Sequence, residues 1–362
     1  MLFDLGSVWC LNDLGWLQRI DMITSVSGGS ITNAVLATKW KDLTWKDGVA
    51  TNFHSIVAQP IIDFAGKTID IWAIIHGLIS PWRTVSENIA HAYDKYLFHG
   101  ATLQNDIPAP VAGLVPRFLF YATSFQTGVS VRIERKRLAD YRLGEVPNPE
   151  LSVAQIVGVS SAFPPFLSPA TLRFDPSLWV KTQGADLFDF EDYRRQLVLT
   201  DGGVYDNIGL EALGRCSTVL VSDAGAPLAS VQAPPRNWFS QTRRAMDIVT
   251  EQTRALRRRL LMDELGSKLS ANQEVLPPRK KGAYWRLKTK ISDFGLQNTL
   301  AYDSDGTASL QKIRTRLNSF TPTEKGQLIN WGYALTDAAM RRYVLDSDCP
   351  ALALPLQDWP LP

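Results

Sequence analysis

No histidine follows His99: the chain's four (His54, His76, His91 and His99) all fall in its first hundred residues. A hydrolase triad in the order Ser, acid, His would need a histidine late in the chain, and none is there. HExxH and other two-histidine ligand spacings are also missing, so a metal or organic cofactor is not expected. The three cysteines, Cys10, Cys216 and Cys349, are odd in number, widely spaced and without a CxxC pair. That excludes a disulfide framework or zinc ribbon and fits a reducing compartment. Charge of one sign is lacking too. Lys plus Arg number 38 against 36 Asp plus Glu, which is no polycation built for nucleic acid. No run of eighteen uncharged apolar residues is present, so a transmembrane segment is not expected. MLFDLGSVWCLNDLGWL at the start has no basic leader region, which points to a cytoplasmic protein with, at most, peripheral contact at a membrane surface. Internal repeats and low-complexity tracts are absent.

What remains is an ordinary globular composition: 362 residues, 45% of them hydrophobic. That length suits two domains or one large α/β domain with insertions. Leu2, Leu5, Val8 or Trp9, and Leu11 recur at helical steps and predict a helix ending near Gly15. RIDMITSV (19–26) reads as a strand, SGGS as a tight turn, and ITNAVLATK as a helix. Residues 40–82 hold Trp40, Trp45, Trp72 and Trp82 together with an apolar segment that Asp63, Lys67 and Asp70 interrupt. This is read as a helical insertion packed on the core, with a lipid-facing cap as the competing reading. RFLFYAT (117–123) and VSVRIE (129–134) predict a hairpin, with the charge run Glu134-Arg135-Lys136-Arg137 as a strand end or loop. Leu151–Ala162 predicts a helix of small residues closed by Phe163, Pro164 and Pro165, the prolines shaping a wall near the turn. QLVLT (196–200) and STVLVS (217–222) read as buried strands. A Pro-containing linker then leads to a long helix over Trp238–Leu265. Ala245, Val249, Leu256 and Leu260 are its expected apolar stripe, with Arg243, Arg244, Arg254, Arg257 and Arg258 largely elsewhere. GAYWRL after a basic turn reads as an edge strand, and the tail from Thr321 as one or two helices. Strands separated by helical stretches predict an α/β/α layered fold with a mainly parallel central sheet and helical insertions. The expected core spans 1–230, with a helical cap at about 40–110, and 231–362 is a C-terminal helical elaboration packed on it.

Two motifs carry chemistry. Ser25-Val26-Ser27-Gly28-Gly29 lies between a predicted strand and a predicted helix, the context of a nucleophile elbow. Ser27 would be the nucleophile, and the Gly28 amide a donor to a forming oxyanion, helped by the helix N-terminus. Ser25 stands where G-x-S-x-G has its first glycine. The competing readings are a plain helix N-cap and a phosphate-binding turn, the latter disfavoured by the lack of a P-loop lysine. A serine without a histidine needs a carboxylate as base, raised in pKa by burial. Asp201 ends the apolar strand QLVLT and precedes Gly202 and Gly203, which places it at a strand's C-terminal edge. An Asp-Gly turn is the alternative.

Together, ITSVSGGSI, VSSAFPPFLSP and LTDGGVYDNIGLEAL resemble the patatin-like phospholipases over roughly residues 1–225, and GAYWRL with the arginine-rich helix looks like a bacterial branch. The resemblance implies Ser27 as nucleophile, Asp201 as general base, and hydrolysis of a phospholipid, lysophospholipid or neutral-lipid ester through an acyl-enzyme. It also implies a glycine-rich oxyanion loop just before the helix that here begins at Met1, and that loop is not in this chain. Either the chain is a truncated or mis-started form of an active enzyme, or it is a catalytically impaired lipid- or partner-binding relative. The intact motifs favour the former. The arginines of the long helix read as a solvated face, with anionic headgroups as the competing reading.

Overall fold

The computed structural model describes residues 1–67, 85–165, 167–226, 228–234, 236–266, 278–313, 319–345, 349 and 351–362. Trp72, Trp82, His76 and the middle of the expected cap, residues 68–84, lie outside them. Among the described residues the helices longer than five residues are α1 Leu2–Asp13, α2 Gly28–Lys39, α3 Gln59–Ala65, α4 Val85–Tyr93, α5 Val153–Ser160, α6 Trp238–Glu264 and α7 Pro322–Tyr343. The strands are β1 Met22–Ser25, β2 Trp45–Lys46, β3 Val49–Ala50, β4 Arg117–Ser124, β5 Ser130–Glu134, β6 Arg137–Asp140, β7 Gly144–Pro147, β8 Ala170–Arg173, β9 Gln196–Asp201, β10 Thr218–Asp223 and β11 Lys281–Arg286.

Local chemistry sets several boundaries. Thr321 caps α7: its hydroxyl accepts from the Glu324 amide and the Glu324 carboxylate accepts from Thr321 N–H, with Pro322 next in line. This reciprocal box satisfies donors that the first helical turn leaves open. Ser152 and Gln155 do the same for α5.

The main sheet runs β7-β6-β5-β4-β9-β8, with β1 also paired to β4. Phe118 to Ser124 of β4 are all buried, so the sheet is covered on both faces there. The expectation of a mainly parallel sheet is overturned. Among the described strands of this sheet only β1 and β4 pair parallel; β4–β5, β4–β9, β5–β6, β6–β7 and β8–β9 are antiparallel. The loops 125–129, 135–136 and 141–143 are too short for the crossover that parallel neighbours need. The expected hairpin is thus the first leg of a meander. Glu134 to Arg137 is its next turn, where buried Glu134 takes Arg137 at 3.1 Å and Arg117. A second, two-stranded sheet pairs β10 and β11 parallel.

One edge of β4 is divided between two strands. β1 lies along Arg117–Phe120, and β9, running the other way, along Ala122–Ser124. Their C-terminal ends therefore approach head-on, Ser25 opposite Phe120 and Asp201 opposite Ala122.

α1 is buried almost all round rather than on one stripe. Its Gly6 lies against the Ile329 carbonyl and Gly332 of α7 against the Phe3 carbonyl, so closely that a Cβ at either position would overlap backbone. The C-terminal helix thus packs directly against the first. α6 inverts its expected orientation. Val249, Leu256 and Leu260 face solvent, and the residues it buries are Arg254, Ala255 and Leu261. Leu261 packs on Val219 and Val221 of β10, and Arg254 forks onto Asp223 at 2.8 Å. A buried charge is tolerable when it is paired and hydrogen-bonded, and this pairing turns the arginine inward.

Candidate active site

Ser27 sits between β1 and α2 with φ 51° and ψ −126°. Positive φ in a serine is rare and stores strain that its surroundings must hold. The strain falls on Ser27 itself; Ser25 has no positive φ, which is why serine serves there in place of glycine. Instead of a missing Cβ, that position has a satisfied hydroxyl. Ser25 Oγ accepts from Asn33 Nδ2 at 2.9 Å and from Ser30 Oγ at 3.0 Å, and donates to the Leu119 carbonyl at 3.4 Å. Ser30 Oγ lies 2.8 Å from Ser160 Oγ, and Ser160 accepts from Ser27 N–H through both its hydroxyl and its carbonyl, each at 3.2 Å. A head-to-tail chain of serines thus pins the turn.

As the first residue of α2, Gly28 has an N–H with no acceptor within the helix. A Cβ added at Gly28 would lie 3.4 Å from Met1 N, so the start of α1 stands against the elbow. Gly29 N–H donates to the Val26 carbonyl at 3.0 Å.

Asp201 is buried, only 1% exposed. Its N–H donates to the Ala162 carbonyl at 2.9 Å, and its own carbonyl accepts from Thr123 Oγ1 at 2.9 Å. Gly202 N–H reaches the Ser160 carbonyl at 3.3 Å. The VSSAF segment at the C-terminal end of α5 therefore grips the serine turn through Ser160 and the acid strand through Ser160 and Ala162. This explains physically why the central motif accompanies the other two. In the side chain, Oδ1 accepts from Gly203 N–H at 2.7 Å, while Oδ2 is buried without a well-formed hydrogen bond. Burial pushes the carboxyl up to about 6; the Ser27 hydroxyl and the Gly203 amide pull the other way. The serine is thus close enough to act on the acid, and the acid has a free oxygen. The structure brings Ser27, Gly28 and Asp201 together, with Ser25 beneath the turn.

Of the two glycines after the acid, Gly202 lies against backbone and Gly203 against the side chains of Asn207 and the acid itself. A Cβ on Gly202 would meet the Tyr121 carbonyl at 2.6 Å, and one on Gly203 would meet Asn207 Oδ1 at 2.7 Å and Asp201 Oδ1 at 3.0 Å. Gly202→Ala is expected to cost about 1–3 kcal/mol, as overpacking does, because the atom it strikes is buried backbone. A thermal melt alongside an esterase assay reads this, and a melt equal to the parent's would show that β4 yields.

Several neighbours were not singled out by sequence. Ser160 is one. Tyr93 is another: its hydroxyl lies 3.2 Å from Ser161 Oγ, and burial and then the Asp201 charge push it up to about 12. Asp206, the second aspartate of LTDGGVYDN, accepts from the amides of Ile208, Gly209, Leu210 and Glu211 at 2.7–3.3 Å and pairs with Arg257 at 3.5 Å. It shapes the loop that follows the acid. Its Asp-Asn-x-Gly setting is an ordinary turn signal and could have been read as one. Among the described residues no three His, Cys, Asp or Glu side chains gather closely enough to hold a metal. A cavity of about 490 Å³ lies at the far end of β4, lined in part by Arg117, Phe118 and Glu134. It touches neither Ser27 nor Asp201, and its Glu134 is already taken by Arg117 and Arg137.

Human GIVD cytosolic phospholipase A2, solved with a methyl γ-linolenyl fluorophosphonate inhibitor and terbium chloride, superposes with a TM-score of 0.52 at 11% identity, over 93% of this chain and 56% of that one. A second structure of the human enzyme gives 0.50 at 12%, over 94% and 59%. VipD from Legionella pneumophila gives 0.41 at 14%, over 94% and 65%. At such identities the likeness to the human enzyme is one of fold, and the chain spans little more than half of its length. No curated protein matches the sequence. The family model described as patatin-like phospholipase matches residues 1–213, well over half the chain and including both motifs. The chain belongs to the patatin-like phospholipase family.

Proposed function

We propose that the protein hydrolyses a carboxylic ester of a phospholipid, lysophospholipid or neutral lipid through an acyl-enzyme on Ser27. In this reading Asp201 takes the proton from Ser27 Oγ as the oxygen attacks the ester carbonyl. The Gly28 amide and the N-terminal end of α2 stabilise the tetrahedral oxyanion. Collapse expels the alcohol, which leaves with the proton held on Asp201. Water, deprotonated by the same carboxylate, then attacks the acyl-serine and releases the fatty acid. Ser25, Gly29 and the Ser30–Ser160 chain hold the turn, and Gly202 and Gly203 leave room for the acid's backbone. The observation that carries this reading is a buried carboxyl with one free oxygen beside a serine in a strained strand-to-helix turn.

Fluorophosphonate labelling is the direct test. The probe is expected on Ser27 in the parent and to be lost in Asp201→Asn, and labelled protein should no longer cleave a lipid ester. Label on another residue, or on none, would sink the mechanism and favour a lipid- or partner-binding role. A pH profile checks the base independently. Asp201 must be ionised to accept the proton, and its carboxyl titrates at about 6. kcat/KM should therefore rise with pH through about 6 and level off above it; a flat profile from pH 5 to 8 would exclude Asp201 as the base.

A further inference from the structure

Where α6 crosses the small sheet, a group of cations serves neither the fold nor the proposed chemistry. The parallel register sets Arg286 of β11 beside Asp223 of β10, and the two-residue repeat of a strand puts Tyr284 and Arg286 on one face. That face looks toward α6: Tyr284 Oη donates to Asp223 Oδ2 at 2.6 Å, on the same carboxylate that Arg254 grips. On the helix, Arg254, Arg258 and Leu261 follow at steps of four and three and so share one side. Leu261 packs on Val219 and Val221 of β10. Arg258 is thereby placed over the sheet between the Asp223 pair and that apolar contact, and its Nη1 is buried without a hydrogen bond. Lys288, two residues beyond Arg286, is exposed.

The charges here do not balance. Arg254 engages both neighbouring acids, Asp223 at 2.8 Å and Glu251 at 3.2 Å. Among the described residues no side chain hydrogen-bonds to or pairs with Arg258, Arg286 or Lys288. Those three with Arg254, set against two carboxylates, leave an excess of two positive charges. Each cation is uncomfortable beside the others. Arg286 first, then burial and Arg258, push the Lys288 ammonium down. Burial, then Arg258 and Arg254, lower Arg286 against the pull of Tyr284 and Asp223. Half-buried like charges cost stability until an anion answers them. The site is separate from the dyad. Ser222, the residue before Asp223, turns to the opposite side of β10 and donates to Asp4 of α1 at 2.9 Å, and it is the start of α1 that stands against the elbow.

We propose that Arg258, Arg286 and Lys288 bind a phosphate dianion, either free or as the phosphoryl group of a soluble phosphomonoester. A tetrahedral dianion cancels the excess charge. It also presents several acceptors to two guanidinium forks and one ammonium, and gives Arg258 Nη1 the partner it lacks. A carboxylate would leave one charge unanswered. Arg258 and Arg286 are half-buried between α6 and β11, which suits a small anion rather than the backbone of a polymer. Bound there, the anion would bridge the helix to the sheet. None of this depends on the ester-hydrolase reading.

The test is calorimetric titration of the full chain with inorganic phosphate and, separately, glycerol 3-phosphate, at ionic strength held constant with potassium chloride. Saturable one-to-one binding is expected, with a rise in the melting midpoint that chloride alone does not give. Arg258→Gln/Arg286→Gln should bind about tenfold more weakly or worse and lose the phosphate-dependent rise. Without phosphate it should melt at or above the parent, because it relieves repulsion; arginines with a merely structural role would lower the melt instead. Lys288→Gln changes an exposed side chain, so it should keep the parent's melt and still bind more weakly. Arg243→Gln/Arg259→Gln, exposed on the same helix, should bind as the parent does. Phosphate binding at least as tightly as glycerol 3-phosphate identifies the free ion as the ligand, and the reverse order identifies a phosphomonoester. No saturable binding of either compound overturns the proposal. So does undiminished binding in Lys288→Gln and the double variant, or an equal loss in Arg243→Gln/Arg259→Gln.

Discussion

Hydrolysis of a lipid ester is expected to fall by about 10⁴-fold or more in Ser27→Ala and in Asp201→Asn alike, the range seen when one member of a catalytic unit is removed. The double variant should be hardly worse than the worse single one, because the serine and its base act on one proton. The two single variants should part company in stability. Burial pushes the Asp201 carboxyl up to about 6 in the fold, from the 3.8 of an ordinary aspartate, so the folded state binds a proton more tightly than the unfolded one across that window. Stability from this group is fully present below about pH 4 and is lost as pH rises through about 6. Above it, the buried carboxylate costs about 3 kcal/mol at 1.36 kcal/mol per unit. Asparagine carries no charge and keeps an oxygen for the Gly203 amide. Asp201→Asn should therefore be the more stable protein at pH 8, by up to about 3 kcal/mol, with the gain vanishing by pH 4. Ser27→Ala removes one of the influences that lower the acid's pKa and should make neutral pH less favourable to the fold. Urea unfolding midpoints across pH, set beside kcat/KM, would expose an error in either half: an inactive but unstabilised Asp201→Asn would mean that the carboxyl is solvated.

The largest loss of stability is expected at Arg254. Its guanidinium makes three hydrogen bonds to Asp223 at 2.8–3.2 Å and reaches the carbonyls of Gly225 at 2.8 Å and Ala226 at 3.2 Å. Arg254→Met keeps the volume but leaves the buried Asp223 carboxylate without its guanidinium partner, hydrogen-bonded by Tyr284 Oη and the Gly225 amide. Breaking one side of such a pair costs about 3–5 kcal/mol, whereas removing both charges together is far milder. Asp223→Asn/Arg254→Met should thus recover much of what Arg254→Met loses, measured as the shift in unfolding midpoint. A single variant as stable as the parent would mean that the pair is open to water. Because Arg254 is the charged residue that α6 buries, the same loss should loosen the helix from β10 and β11.

Much of the candidate site was legible before any coordinates, and for a local reason. A strand-to-helix turn built of small residues and an acid ending an apolar strand before two glycines are short-range patterns, set by backbone geometry within a few residues. The helices over Leu2–Asp13, Val153–Ser160 and Trp238–Glu264 were readable in the same way, from periodicity and caps. Strand pairing was not. β6, β7 and β8 are four residues each, too short to announce themselves, and the sense of each pair depends on loops whose brevity only matters once the neighbours are known.

The residues alone specified which side chains carry the proposed chemistry, that a histidine triad was excluded, and where the principal helices run. They could not specify that β1 and β9 share one edge of β4, and that arrangement is what brings Ser27 to Asp201 across more than 170 positions of chain. Nor could they say that Ser160 holds both, that Asp201 is dry enough to be lifted to about 6, or that α6 turns its arginine inward and its leucines out. Each of these depends on desolvation or on contact between distant segments. An isolated strand has no dielectric of its own, and an amphipathic helix shows two faces without showing which of them finds a partner.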